Sequence, residues 1–247
     1  MSLAVQIQNL NFAYKNQPQL ISGLNLDVFA GQRFGIFGPN GAGKTTLMSL
    51  ISGLLQYTQG SVKIFGVEVK TGKDDINKMI GLVPQDFSFY EELSPAENME
   101  FFGAWYGLKK PDIKQKTDEL LEIMGLTDVR NKPVKQFSGG MKRRVNLAIG
   151  VMNQPKVLFL DEPTVGVDVH SRNAIISFLK KINEEDGATL VYTSHQLKEA
   201  EDLCESVAMI DQGEIIANGT LQNLLLQHRQ DGLEGLFLEL TGRDYRD

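Results

Sequence analysis

The run GPNGAGKT, Gly38 to Thr45, has the spacing of glycine, four residues, glycine, lysine and threonine that wraps a phosphate chain. Each residue type has a physical task. Gly38, Gly41 and Gly43, with Pro39, Asn40 and Ala42 between them, let successive backbone N–H groups converge on anionic oxygens. The start of the helix that follows adds partial positive charge. Lys44 is expected to reach the β- and γ-phosphates, the Thr45 hydroxyl to ligate magnesium, and Thr46 to add a phosphate contact. A glycine turn with a surface lysine is the plain alternative. Against it, RFGIF before the run reads as a strand, and Leu47, Leu50, Ile51 and Leu54 after it read as one buried helix face.

A nucleotide with magnesium needs a carboxylate beyond the loop. VLFLDEP supplies one, because four apolar residues make a buried strand and Asp161 emerges at its C-terminal edge, where open α/β sheets place ligands. Asp161 is expected to hold the metal through water. Glu162 follows and is suited to take a proton from an attacking water, although spacing alone also allows a helix-capping or solvated acid. Gln85, after IGLVP, could reach the metal or the water, or be an ordinary loop glutamine. His195, in YTSHQ, could donate to the γ-phosphate or cap a helix. FSGGM, Phe137 to Met141, raises a different question. Ser138, Gly139 and Gly140 look like a second helix end built for phosphate, ahead of a buried stripe of Val145, Ala148, Ile149 and Met152. One nucleotide has no evident use for both.

Composition narrows the partners. Acidic residues outnumber basic ones 31 to 25, a net charge of -6 that argues against nucleic acid. One cysteine, Cys204, excludes an internal disulfide, and His170, His195 and His228 are too far apart for a zinc pattern. No apolar run is long enough to cross a membrane, and the N-terminus lacks a signal-peptide pattern.

The surrounding elements must position these groups. AVQIQNL, LNLDVF, SVKIFG and VEV read as strands, the last two joined by a glycine turn. From about residue 87 to 152 the pattern is helical, with SPAE as a capping box and KKPDIKQK as the solvated start of a helix. Ile175, Phe178, Leu179 and Ile182 face inward on a helix after VLFL; TLVYTS, a short helix, SVAMID and EIIA follow. Strands alternating with helices imply a parallel sheet. From Gly219 the tail reads as helical, with Leu233, Leu236, Phe237 and Leu240 on one face.

GPNGAGKTT, VPQD, FSGGM, VLFLDEPTVGVD and TSH, in this order and spacing, resemble the nucleotide-binding subunits of ATP-binding cassette transporters over roughly residues 3–220. The resemblance implies an α/β fold: a P-loop NTPase core with a parallel sheet, an N-terminal antiparallel β subdomain and an inserted helical subdomain. It divides one domain, 1–247, into a core with β subdomain (1–86 and 153–220), a helical subdomain (87–152) and a helical tail (221–247). Ser138, Gly139, Gly140 and Met141 then serve ATP bound on a facing copy, so that each ATP is sandwiched between two chains. The same resemblance implies catalytic roles for Glu162, His195 and Gln85, a metal set of Thr45, Gln85 and Asp161, adenine stacking on Tyr14, and an Asp168 loop crossing between the chains.

The resemblance further implies ATP and Mg2+ as cofactors. It implies as partners a second cassette subunit, identical or not, and an integral membrane permease, at the cytoplasmic face of the cell membrane. Phe101, Phe102, Trp105 and Tyr106, in MEFFGAWYGL, fall where the family receives a short helix from that permease; an internal core stripe is the alternative. GGMKRR, DEPTVGVD and LEGLFLELTG are similar to the branch that exports drugs, lipids or polysaccharides. Two other readings compete: a soluble cassette ATPase of repair, translation or cluster assembly, and a phosphate-loop kinase or GTPase. The second needs no FSGGM. The first lacks support, because the chain has no zinc-type cysteine pairs, second cassette or basic face.

Overall fold

The computed structural model describes residues 2–242; Met1 and the last five residues of the expected tail lie outside the described residues. The strands are β1 (Leu3–Ala13), β2 (Gln19–Phe29), β3 (Arg33–Phe37), β4 (Gln59–Ile64), β5 (Val67–Glu68), β6 (Ile80–Val83), β7 (Val157–Asp161), β8 (Thr189–Thr193), β9 (Ser206–Asp211) and β10 (Glu214–Thr220). The helices are α1 (Lys44–Ile51), α2 (Lys73–Asn77), α3 (Pro95–Trp105), α4 (Lys110–Ile123), α5 (Gly139–Gly150), α6 (Val169–Asp186), α7 (Leu197–Leu203), α8 (Leu221–His228) and α9 (Leu233–Thr241).

Two sheets form. One is antiparallel, in the order β2-β1-β4-β5; the other runs β10-β9-β3-β8-β7-β6 and is parallel except for β10. Apolar character sets these roles, since every residue of β7 and β8 is buried, as a parallel sheet covered on both faces requires. The faces separate by alternation. Val157 and Phe159 pack with the antiparallel sheet and with Leu47, Leu50 and Ile51 of α1. Leu158 and Leu160 pack on the other side with Val145, Ala148, Ile149 and Met152 of the α5 region, and with Ile175, Leu179 and Ile182 of α6. The period of two along a strand thus builds two cores.

Local signals hold at several ends. Ser94 and Glu97 make a reciprocal capping box at α3, with Ser94 N–H donating to Glu97 Oε2 at 2.8 Å and Glu97 N–H donating to Ser94 Oγ at 3.3 Å. Three expectations need correction. Leu54 is 65% exposed, because Ser52 caps α1 and Gly53 turns into the left-handed region, φ 77°, before it. The link between β4 and β5 uses Phe65 as well as Gly66, both at positive φ. The tail turns helical only at Leu221, because Gly219 and Thr220 pair with Val207 and Ser206 of β9. Thr220 instead caps α8, accepting from Asn223 N–H at 3.3 Å.

The aromatic run on α3 divides. Phe102 and Tyr106 pack on the helical-side core, whereas Phe101 and Trp105 are 42% and 79% exposed. Tyr90, also exposed, meets Phe101 edge-on at 5.0 Å between ring centroids.

Candidate nucleotide site

The phosphate-type loop links β3 to α1. Gly38 is forced by space, since a Cβ there would lie 2.0 Å from Ile210 O. Gly43 is forced by conformation, as the left-handed residue (φ 105°) that starts α1. A cleft of about 430 Å³ opens at this point. Asn40, Gly41, Gly43, Lys44, Thr45, Thr46, Gln85, Glu162 and His195 line it, with Leu20 and Val165.

Lys44 folds onto the loop itself, its Nζ donating to Gly38 O at 2.8 Å and Pro39 O at 3.2 Å. Burial pushes its pKa down, opposed by the negative charges of Glu162 and Asp161. It is therefore a poorly hydrated cation facing two acids, which an anionic ligand would favour. Tyr14, just past β1, is 40% exposed; its hydroxyl lies 3.0 Å from Thr46 Oγ1, leaving ring surface open beside the loop.

Asp161 and Glu162 sit at the C-terminal edge of β7, where Asp161 pairs in register with Thr193 of β8. Thr193 Oγ1 donates to Asp161 Oδ1 at 2.6 Å, and Thr45 also hydrogen-bonds the carboxylate. Burial nevertheless raises the Asp161 pKa, with Glu162 adding to the rise and the Thr193 bond, the Thr45 bond and Lys44 opposing it. Glu162 leaves the strand in the left-handed region, φ 49°, unusual for a side-chain-bearing residue and costing on the order of 1–3 kcal/mol. Its N–H donates to Thr193 O and Oγ1, both at 3.2 Å. The side chain is thereby brought to Gln85 Nε2, which donates to Glu162 Oε2 at 3.2 Å, and to His195 Nδ1, 3.1 Å from the same oxygen.

Ser138 and its neighbours stand apart. Among the described residues, none of Ser138, Gly139, Gly140 and Met141 lines the cleft. Ser138 caps α5 by accepting from Met141 N–H at 3.3 Å, and it remains exposed, as does Gly139. Gly140 abuts the start of α6: a Cβ there would lie 2.7 Å from Ser171 Oγ and 3.4 Å from Asp168 Oδ2. Asp168, exposed, caps α6 by accepting from Ser171 N–H at 3.0 Å and from Ser171 Oγ at 2.7 Å. The chain thus collects the residues expected at the first phosphate site and leaves the second helix end facing solvent.

Sequence reasoning missed Thr193. It tethers both Asp161 and Glu162, and its signal is a hydroxyl at the end of a buried strand; the pairing of that strand with β7 is not visible in a single sequence. Leu20 and Val165 of the cleft wall were missed as well.

A protein-family model described as ABC transporter matches residues 21–165. The linearmycin resistance ATP-binding protein LnrL of Bacillus subtilis (strain 168) is 41% identical over 220 residues, covering 89% of this chain and 70% of that protein. Among solved structures, an ATP-binding subunit of an ABC transporter superposes with a TM-score of 0.88 at 27% identity, covering 96% of this chain and 99% of that one. The ATP-binding cassette MJ0796, a dimer in a post-hydrolysis state bound to ADP and Pi, does so with a TM-score of 0.80 at 28% identity, covering 88% of this chain and 98% of that one.

Proposed function

This chain belongs to the ABC transporter family, and from that premise we propose that it powers a membrane transporter by closing and reopening on ATP held between two copies of the cassette. It is an ATP-binding, ATP-hydrolysing cassette of that family. The observation that carries the two-chain reading is the division of labour within one chain. Lys44, Glu162, Gln85 and His195 line one cleft, while Ser138 to Met141 lie outside it with Ser138 and Gly139 exposed. A serine whose oxygen already accepts from its own helix still has a proton to donate, and the helix end adds positive charge. Both attract a γ-phosphate on a facing chain and lose that attraction once it is hydrolysed and released.

In this reading Glu162 Oε2 takes the proton of the attacking water, and Gln85 and His195, both at that oxygen, orient the carboxylate and the water. The backbone of Gly38 to Gly43, with Lys44 and Thr46, binds the phosphates. Tyr14 offers its ring to the adenine, worth about 1–3 kcal/mol by analogy with base stacking. The Asp168 loop, beside Gly140, belongs to the contact between copies. The division into core, helical subdomain (87–152) and tail follows from the same assignment.

The residues fit magnesium. Asp161 is a buried carboxylate whose charge burial disfavours, so a dication would relieve it, and the Thr45 hydroxyl already bonds to it. Among the described residues no cluster of three or more histidine, cysteine or acidic side chains forms an all-protein cage. That suits Mg2+, which is typically held by one or two carboxylates together with substrate phosphates. Asp161, Thr45 and Gln85 would hold it; when bound it neutralises phosphate charge.

Among the described residues no helix is long and apolar enough to cross a membrane, and in this reading a permease provides the crossing. Its docking surface is assigned to the exposed aromatics Phe101, Trp105 and Tyr90, at the cytoplasmic face of the membrane. The resistance function in the name of LnrL supports export as the direction. The test is capture of the membrane partner by the Glu162→Gln chain in the presence of ATP; failure to retain any permease would argue for a soluble ATPase. Trp105→Ser is expected to lower transport by about tenfold or more, as for a central interface aromatic. Basal ATP turnover should stay within about twofold, because the side chain is exposed. Loss of folding in that variant would instead assign Trp105 to the core.

A further inference from the structure

A buried cation beside the Gln85 loop has no part in the steps above. Arg143, on α5, is 6% exposed. Its Nη1 donates to Gln85 O and, at 3.5 Å, to Pro84 O; its Nε donates to Val165 O at 3.4 Å. The guanidinium carbon lies 4.8 Å from the centroid of the Phe87 ring. Among the described residues no carboxylate is within ion-pairing distance of it, so its hydrogen-bond partners are backbone carbonyls. Burial lowers its pKa, and the charges of Asp86, Glu162 and Asp161 oppose this.

Both segments that it grips lead to the pair proposed for hydrolysis. Gln85 presents Nε2 to Glu162 at 3.2 Å, and Val165 N–H donates to Glu162 O at 3.3 Å. One planar, rigid fork therefore fixes the backbone on both sides of the Gln85–Glu162 contact, which the point charge of a lysine could not do. Asn146, further along α5, reinforces the tie: its Nδ2 donates to Pro84 O at 3.2 Å, and its Oδ1 accepts from Ser88 N–H at 3.4 Å and Ser88 Oγ at 3.3 Å. The helix that carries both residues is the one capped by Ser138.

We infer that Arg143 is a positioning residue: it sets where Gln85 stands relative to Glu162 and passes any displacement of the Ser138 end of α5 into that separation. The inference rests on the reading of Glu162 and Gln85 as the hydrolytic pair. Arg143 itself touches neither reacting atom; it acts chiefly through Gln85, and through Val165 on the Glu162 backbone. Most of its effect must therefore disappear when the Gln85 side chain is gone, leaving only what passes through Val165 to the Glu162 backbone.

The test is steady-state ATP hydrolysis by the full chain carrying Arg143→Met or Arg143→Lys, each alone and combined with Gln85→Ala. Arg143→Met is expected to lower kcat by about 10- to 100-fold, the cost of misplacing a catalytic group by about an ångström. The KM for ATP should stay within about twofold, since nothing in the phosphate loop changes. Arg143→Lys should fall between Arg143→Met and the wild type. In the Gln85→Ala background either change should cost at least about threefold less than it does alone, the non-additivity of residues acting as one unit. Equal losses in both backgrounds, or a raised KM at unchanged kcat, would overturn the inference. So would a fall in melting temperature large enough to account for the lost rate. If Arg143→Met does not fold, the same comparison rests on Arg143→Lys. A wild-type chain that hydrolyses no ATP would overturn the underlying ATPase reading instead.

Discussion

Glu162→Gln is expected to bind ATP and to hydrolyse it about 10²- to 10⁴-fold more slowly, the usual worth of a positioned general base. The substitution is nearly isosteric, so an amide oxygen can still accept from Gln85 Nε2 and the neighbourhood of His195 need not rearrange. The amide cannot take up a proton at that atom. The backbone supports a specific role for this residue: a glutamate held at φ 49° by two bonds to Thr193 costs folding energy that a merely solvated acid would have no reason to retain. Single-turnover hydrolysis with equilibrium ATP binding measured alongside checks it. Normal turnover would remove Glu162 from the chemistry.

Lys44→Ala is expected to act earlier, on binding. Lys44 is 6% exposed, and its ammonium is held by Gly38 O and Pro39 O and feels both Glu162 and Asp161. A charge-assisted contact to phosphate is worth about 1.5–3 kcal/mol, which places the loss of ATP affinity at about ten- to a hundredfold. Removing the cation also leaves two acids facing the incoming phosphates without compensation, so the loss should reach the upper end of that range. The rise in melting temperature that ATP gives the wild type should shrink accordingly. An undiminished thermal shift would show that Lys44 does not touch the nucleotide.

Much of this site was legible because its parts are local. A glycine loop between a strand and a helix can be read from spacing, and so can two acids at the end of an apolar run. The structure adds reasons for Gly38 and Gly43 that spacing does not contain, one steric, against Ile210, and one conformational. What stayed hidden depends on which strands become neighbours. Thr193 is a plain strand threonine until β8 lies beside β7, when its hydroxyl reaches Asp161 and its carbonyl reaches the Glu162 N–H. Arg143 is one of several basic residues after FSGG until α5 folds against Gln85 and Val165. The aromatic run at 101–106 was ambiguous because helical spacing places residues on faces without saying which face is covered; Trp105 and Phe102 take opposite answers. The fold class was legible for the same reason as the phosphate loop, since buried runs such as VLFL and TLVYT alternate with helices in sequence. Leu54 misled because its spacing continued the α1 stripe past a glycine that ends the helix.

We propose that Ser138 of one chain completes the ATP site of another. Sedimentation of the Glu162→Gln chain with and without ATP, repeated with Ser138→Arg added, tests it most directly. The expected result is a dimer that forms only with ATP and vanishes with Ser138→Arg, while ATP binding to the lone chain persists. A dimer indifferent to Ser138→Arg, or wild-type turnover undiminished in a chain that stays monomeric, would contradict it.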